Sequence, residues 1–120
     1  MKIYRKYSFD AAHHLPNVPE GHKCGRVHGH TYNVKITVRG IVSPTSGWVV
    51  DFAVIDEAWA KLVIHLDHTH LNNIPGLANP TSENLAKWIY SHLAPTIDGL
   101  WEVEVSETPN SGAIYCTKDL

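Results

Sequence analysis

The stretch Cys24 to Ile36 combines a possible nucleophile and possible metal ligands with the pattern of a β-strand. His28 and His30 are separated by one residue and fall in phase with the apolar positions of an alternating run, Thr31 to Arg39. Because residues two apart in a strand point to the same face, we expect the two imidazoles side by side on the inward face. A His-x-His pair alone is weak evidence for a metal site.

A third histidine arrives in the same phase from the first predicted strand, residues 2–13. His13 continues the apolar face of that strand, whereas His14 points to the other face. If the two strands pair, His13 meets His28 and His30. Three imidazoles leave one position open on a tetrahedral Zn²⁺ ion, which is the arrangement of catalytic zinc sites.

Cys24 follows a turn-rich loop, residues 16–23, and precedes the two paired histidines by a few residues. Loops held by a rigid sheet often carry reactive groups, and the cations Lys23 and Arg26 favour a reactive thiolate. The alternative is a cysteine that packs as a small buried hydrophobe. Lys23 and Arg26 are also candidates to bind a phosphorylated substrate, or else ordinary solvated loop charges.

Asp67 and His68 stand next to each other at the predicted end of a helix. A carboxylate beside a histidine can fix the tautomer of the imidazole for acid-base work. The alternative is a polar helix terminus, where histidine is favourable against the dipole. A second His-x-His, His68 to His70, ranks lower as a metal site because no strand phase supplies a third ligand.

Glu107 continues the inward phase of the predicted strand Leu100 to Thr108. A carboxylate on that face is costly unless paired, and the N-H groups of an amino-pyrimidinone ring would pair it as a guanidinium does. Alternatively the strand has already ended and Glu107 is exposed. Thr81 and Ser82 are capping residues of a second helix, and the amide groups at that helix start could also face a ligand.

The remaining pattern predicts an α+β fold. A strand is expected at 48–52, closing a hairpin with the preceding strand, and then a helix with a stripe of apolar residues. The second helix is expected to run to about His92, followed by strands at 100–108 and 112–116. The stripe of the first helix consists of Ile55, Ala58, Trp59, Leu62 and Leu66.

Composition narrows the function classes. A length of 120 residues suits one domain. A net charge of -2 does not favour binding to nucleic acid or to an anionic membrane. Nine histidines exceed what a fold needs and favour metal or proton chemistry. Two cysteines and an amino terminus without the apolar run of a signal peptide lead us to expect a cytoplasmic protein.

Taken together, the motifs resemble the 6-pyruvoyl-tetrahydropterin synthase family along nearly the whole chain. Three residues separate Cys24 from His28, as in the branch that forms 6-carboxy-tetrahydropterin for queuosine, and the pyruvoyl-forming branch has a longer interval. Thr69 and His70 depart from the family's more common His-Tyr. The matching segments are 9–13, 21–30, 47–52, 66–68, 79–83 and 107–108.

The resemblance implies a site and a reaction. Zinc ligands would be His13, His28 and His30, the proton-abstracting cysteine Cys24, the acid-base pair Asp67 and His68, and the pterin anchor Glu107. The substrate would be 7,8-dihydroneopterin triphosphate, converted to 6-carboxy-5,6,7,8-tetrahydropterin with loss of acetaldehyde and triphosphate. A pyruvoyl-forming or other pterin side-chain lyase is the first alternative, and a non-catalytic zinc-binding module is the second.

The resemblance also implies the T-fold. In that fold an antiparallel four-stranded sheet carries two helices on one face, and copies join edge to edge into a barrel. Family members are commonly homo-hexamers whose active sites lie between subunits. A chain of this length with so few strands cannot close a barrel alone, which agrees with an oligomer.

Overall fold

The structure, a computed structural model, describes residues 1–118. Over that range the chain forms a four-stranded antiparallel sheet in the order β1-β2-β3-β4. The strands are β1 (Lys2–His13), β2 (His28–Arg39), β3 (Leu100–Thr108) and β4 (Ser111–Tyr115), and two α-helices, α1 (Phe52–Val63) and α2 (Ser82–Leu93), lie between β2 and β3 in the chain. The predicted α+β class and antiparallel sheet are confirmed.

The sheet has one largely buried face and one largely exposed face, because successive side chains along each strand point to opposite faces. On β1 and β2 one phase is largely buried, with Phe9, Tyr32 and Val34 at 3% exposure or less, while the other phase is mostly exposed, apart from the buried Thr37. The helices cover the buried phase: α1 presents Ile55, Trp59 and Leu62, and α2 presents a stripe that includes Leu85 and Ile89. One core therefore lies between the sheet and the helix pair.

Arg5 breaks the apolar phase of β1 but is paired. Its guanidinium contacts the Asp56 carboxylate on α1 at 2.9 and 3.2 Å, and the Tyr7 hydroxyl donates to the same carboxylate at 2.5 Å. The hydrogen bond from Tyr7 lowers the pKa of Asp56. These contacts fix α1 across the edge strand β1.

The predicted strand at 48–52 is wrong. Residues 48–50 form bends, and Phe52 is already the first residue of α1. The amide of Ser43 donates to the carbonyl of Trp48 at 2.9 Å, which closes a compact loop, and the Asp51 carboxylate caps α1 by accepting from the amide of Ala53. The apolar run Trp48 to Val50 therefore leads into a helix cap.

The other helix and strand bounds differ little from expectation. Strand β3 has the predicted bounds, β4 begins at Ser111, and α1 ends at Val63, so Leu66 is buried from a turn that follows the helix. No helix within residues 1–118 combines the length and the apolar character needed to span a bilayer.

Candidate active site

Strand pairing brings the three predicted histidines together. In the register of β1 and β2, His13 stands opposite His28 and Ala11 stands opposite His30, so all three imidazoles extend from the buried face at one end of the sheet. One nitrogen from each ring lies within 4.8 Å of the others, and the Nε2 atoms of His13 and His28 are 3.0 Å apart. Within residues 1–118 this is the one group of three or more His, Cys, Asp or Glu side chains that could hold a metal.

Hydrogen bonds to backbone carbonyls orient the rings of His13 and His28 so that the lone pairs of their Nε2 atoms face each other. Nδ1 of His13 donates to the carbonyl of Pro80 at 2.8 Å, and Nδ1 of His28 donates to the carbonyl of Arg26 at 2.7 Å. In the neutral rings both Nε2 atoms are then acceptors, and two acceptors 3.0 Å apart repel unless a cation lies between them. Carbonyl partners on the far nitrogen are typical of metal-bound histidines.

Two further observations fit a metal at this cluster. His13 is 1% exposed, and its burial lowers the pKa of the ring, which favours the neutral form that ligates metals. Nε2 of His30 is buried and has no hydrogen bond to any residue of the described chain, although Oε2 of Glu107 lies 3.3 Å away. The residues therefore suit Zn²⁺, which prefers imidazole nitrogens in a tetrahedral set.

Cys24 opens into the same cleft as the histidines. The short 3₁₀ turn Lys23–Gly25 places it there, since its amide donates to Nδ1 of His22 and its carbonyl accepts from the amide of Leu15. The cleft has a volume of about 440 Å³. Its lining includes His13, His28, His30, Lys23, Cys24 and Glu107, whereas Arg26 lines a neighbouring depression.

Glu107 points inward near the end of β3, as the strand phase predicts. Its side chain is 26% exposed and accepts a hydrogen bond from the Ser82 hydroxyl at 3.1 Å. Thr81 is the N-cap of α2, and its hydroxyl accepts from the amide of Asn84. Ser82 therefore orients a carboxylate that lines the cleft, while the hydroxyl of Thr81 caps α2.

Asp67 and His68 form the predicted pair. Nδ1 of His68 donates to Oδ2 of Asp67 at 2.9 Å, and this hydrogen bond raises the pKa of His68. The pKa of Asp67 is lowered first by the backbone amide of Asp10 and then by His68. Because Asp67 occupies Nδ1, Nε2 of the largely exposed His68 is the nitrogen that can exchange a proton.

Within a single chain, the acid-base pair and the cysteine face different clefts. His68 lines a cleft of about 620 Å³ with Asp10, Thr31 and His70. The lining of that cleft does not include Cys24. Cys24 and His68 thus line different clefts of one chain, and His30 of the imidazole cluster lines both.

The competing His-x-His is not a metal cluster. His70 contacts His14, with 3.2 Å between Nε2 of His70 and Nδ1 of His14. The side-chain amide of Asn72 accepts from the backbone N-H of His14 and donates to its carbonyl. Sequence reasoning missed Tyr32, whose ring lies edge-on to His13 and His30. Tyr32 is the next inward-facing residue of β2 after His30, and this position could have identified it from the sequence.

The sheet, the helix pair on one face and the imidazole cluster at the sheet end define a T-fold protein with a candidate catalytic centre. The sequence profile described as 6-pyruvoyl tetrahydropterin synthase matches residues 2–118. The chain therefore belongs to the 6-pyruvoyl tetrahydropterin synthase family.

Named relatives and a solved structure support this assignment. The chain is 43% identical to the 6-carboxy-5,6,7,8-tetrahydropterin synthase of Synechocystis, over 94% of this chain and 91% of that protein. It is 38% identical to the Bacillus subtilis protein of the same name, over 98% and 86%. The structure of the Caenorhabditis elegans 6-pyruvoyl tetrahydropterin synthase superposes with a TM-score of 0.90 at 29% identity, covering 98% of this chain and 96% of that one.

Proposed function

We propose that this protein is a 6-carboxy-5,6,7,8-tetrahydropterin synthase, a zinc-dependent carbon-carbon lyase of queuosine biosynthesis. It converts 7,8-dihydroneopterin triphosphate and water to 6-carboxy-5,6,7,8-tetrahydropterin, acetaldehyde and triphosphate. The observation that carries the proposal is the shared cleft, in which Cys24, the imidazole cluster and Glu107 face one space of about 440 Å³. Relatives of that name at 43% and 38% identity support it.

The metal would be held by the Nε2 atoms of His13, His28 and His30. When bound, Zn²⁺ supplies Lewis acidity toward hydroxyl groups of the substrate side chain. Because backbone carbonyls bind Nδ1 of His13 and Nδ1 of His28, the two Nε2 atoms would be free to ligate the ion. The chain thus contributes a preformed ligand set.

Binding of the pterin ring is assigned to Glu107. Its carboxylate accepts from the N-H groups of the ring, and the hydroxyl of Ser82 holds the carboxylate in place. Lys23 lines the same cleft and is assigned to the triphosphate, with Arg26 and the amide groups at the start of α2 (Thr81 and Ser82) as further candidates.

Proton transfer is assigned to two groups. As thiolate, Cys24 removes a proton from the substrate side chain, and Nε2 of His68 moves protons on the opposite side, with Asp67 fixing its tautomer. Because Cys24 and His68 face different clefts of one chain, we infer that each complete site takes its Asp67–His68 pair from a neighbouring copy.

Assembly follows from the open edges of the sheet. Strands β1 and β4 are the outer strands within the described part of the chain, and β1 is long for an edge strand. Unpaired edges are templates for pairing with another chain, so we infer a homo-oligomeric barrel, a hexamer by analogy with the family. We further infer that residues 1–120 are one domain and that the enzyme works in the cytoplasm, which its two free thiols support.

The test is product analysis with a matched variant. Zinc-loaded protein is incubated with 7,8-dihydroneopterin triphosphate, and the products are identified by mass beside Cys24→Ala. We expect carboxy-tetrahydropterin, and the variant should lose roughly 10²- to 10⁴-fold in turnover with its zinc content unchanged. A pyruvoyl product would move the protein to the other branch of the family. Zinc binding without turnover of any pterin would support the binding-module alternative.

A further inference from the structure

The Asp67–His68 turn is docked on one residue of β1. The amide of His68 donates to the carbonyl of Asp10 at 2.6 Å, and the amide of Asp10 donates to Oδ1 of Asp67 at 2.9 Å. The amide of Ala12 then donates to the carbonyl of Thr69, also at 2.9 Å. Both backbone polar groups of Asp10 are thus used to hold the acid-base pair.

His68 needs such restraint because its backbone is strained. Its φ of 58° lies in the left-handed region, and it is the one non-glycine residue with positive φ in the range 1–118. A side chain with a Cβ atom is disfavoured there, and such conformations persist only when the surroundings hold them. The hydrogen bonds to Asp10 are the contacts that do so.

The side chain of Asp10 brings a second carboxylate to this turn. Asp10 and Thr31 are direct cross-strand partners on the solvent face, and the Thr31 hydroxyl donates to Oδ1 of Asp10 at 2.6 Å. The carboxylate of Asp67 already accepts from the backbone amide of Asp10, so the carboxylates of Asp67 and Asp10 are both placed at residue 10. Without the hydroxyl of Thr31, the Asp10 carboxylate would be free to compete with Asp67 for the imidazole or to repel Asp67.

We propose that Asp10 and Thr31 form a latch that positions the Asp67–His68 pair for proton transfer. The hydroxyl of Thr31 on β2 holds the Asp10 carboxylate by a hydrogen bond, so Asp67 remains the carboxylate that bonds to the His68 ring. Asp10 and Thr31 are positioning residues that act through His68. The catalytic meaning of the latch rests on the function proposed above.

Two matched variants isolate the hydroxyl group. Thr31→Val removes the donor at nearly constant shape, and Thr31→Ser keeps it. The side chain of Thr31 is exposed and points away from the face of His30, so both variants should fold and hold zinc like the parent protein. We expect Thr31→Val to lower kcat roughly tenfold with KM little changed, since misplacing a reacting group by about 1 Å can cost ~10²-fold. Thr31→Ser should restore turnover.

A second readout needs no substrate. The hydrogen exchange rate of the His68 amide, measured by NMR, should rise in Thr31→Val and return toward the parent rate in Thr31→Ser, because the bond to the Asp10 carbonyl is weakened and then restored. Exchange that responds this way in a protein without pterin turnover would support the latch and refute the proposed function. Equal exchange and equal kcat in all three proteins would overturn the latch, as would a serine variant as impaired as the valine variant.

Discussion

Removal of the Tyr32 hydroxyl should stabilise the protein. Tyr32 is fully buried, and its hydroxyl has no hydrogen-bond partner among residues 1–118. Burial raises the pKa of Tyr32 and the nearby charge of Glu107 adds to the shift, so the phenol stays neutral. An unsatisfied buried hydroxyl costs about 1–3 kcal/mol, and Tyr32→Phe removes it while keeping the stacking on Phe9 at 5.1 Å.

The expected size of the effect can be converted to a melting temperature. An unfolding entropy of about 2.1 cal/mol/K per residue over 120 residues gives about 0.25 kcal/mol/K, so a gain of about 1 kcal/mol raises Tm by about 4 °C. Calorimetry of metal-free protein at fixed concentration measures it, because both metal and assembly change apparent stability.

Tyr90→Phe is the matched control. The hydroxyl of Tyr90 donates to the carbonyl of Leu100 at 3.3 Å, so its loss should lower stability by about 1 kcal/mol, opposite in sign to the Tyr32 variant. If Tyr32→Phe lowers Tm as Tyr90→Phe does, then the Tyr32 hydroxyl has a partner in solution and the reasoning is wrong.

Three further predictions concern the site and the sheet. His28→Ala should reduce zinc affinity, measured by equilibrium dialysis, by more than the roughly 10- to 100-fold typical when a group supporting a ligand is changed; unchanged affinity would exclude His28 as a ligand. Ser82→Ala should raise KM about tenfold with little change in kcat, because the charged Glu107 loses one donor; an unchanged KM would remove Ser82 from ring binding. Burial raises the pKa of Tyr7 in the folded state, so stability should fall as pH rises above about 10, where only the unfolded chain ionises; Tyr7→Phe should show a smaller loss in denaturant titrations.

Much of the site could be predicted because strand periodicity carries it. His13, His28, His30 and Glu107 each continue an apolar alternation, and a period of two fixes which face a side chain takes once the strands pair. The ordered motifs then made the family recognisable, and the match over residues 2–118 confirms that assignment.

The features that escaped prediction depend on contacts that alternation does not encode. Trp48 to Val50 has the composition of a strand, but the Asp51 cap and the loop closed at Ser43 commit it to a helix start. Asp10 and Thr31 are two polar residues among many on the solvent face, and only the register makes them partners. The ring partners of His13 and His28 are backbone carbonyls, which any residue supplies.

The most direct test of the central claim is the ratio of acetaldehyde to triphosphate released from 7,8-dihydroneopterin triphosphate by the zinc-loaded enzyme. The proposed lyase reaction predicts equal amounts of the two, with Cys24→Ala releasing little of either. Triphosphate released without acetaldehyde, from a pterin that keeps its full side chain, would contradict the carboxy-forming assignment.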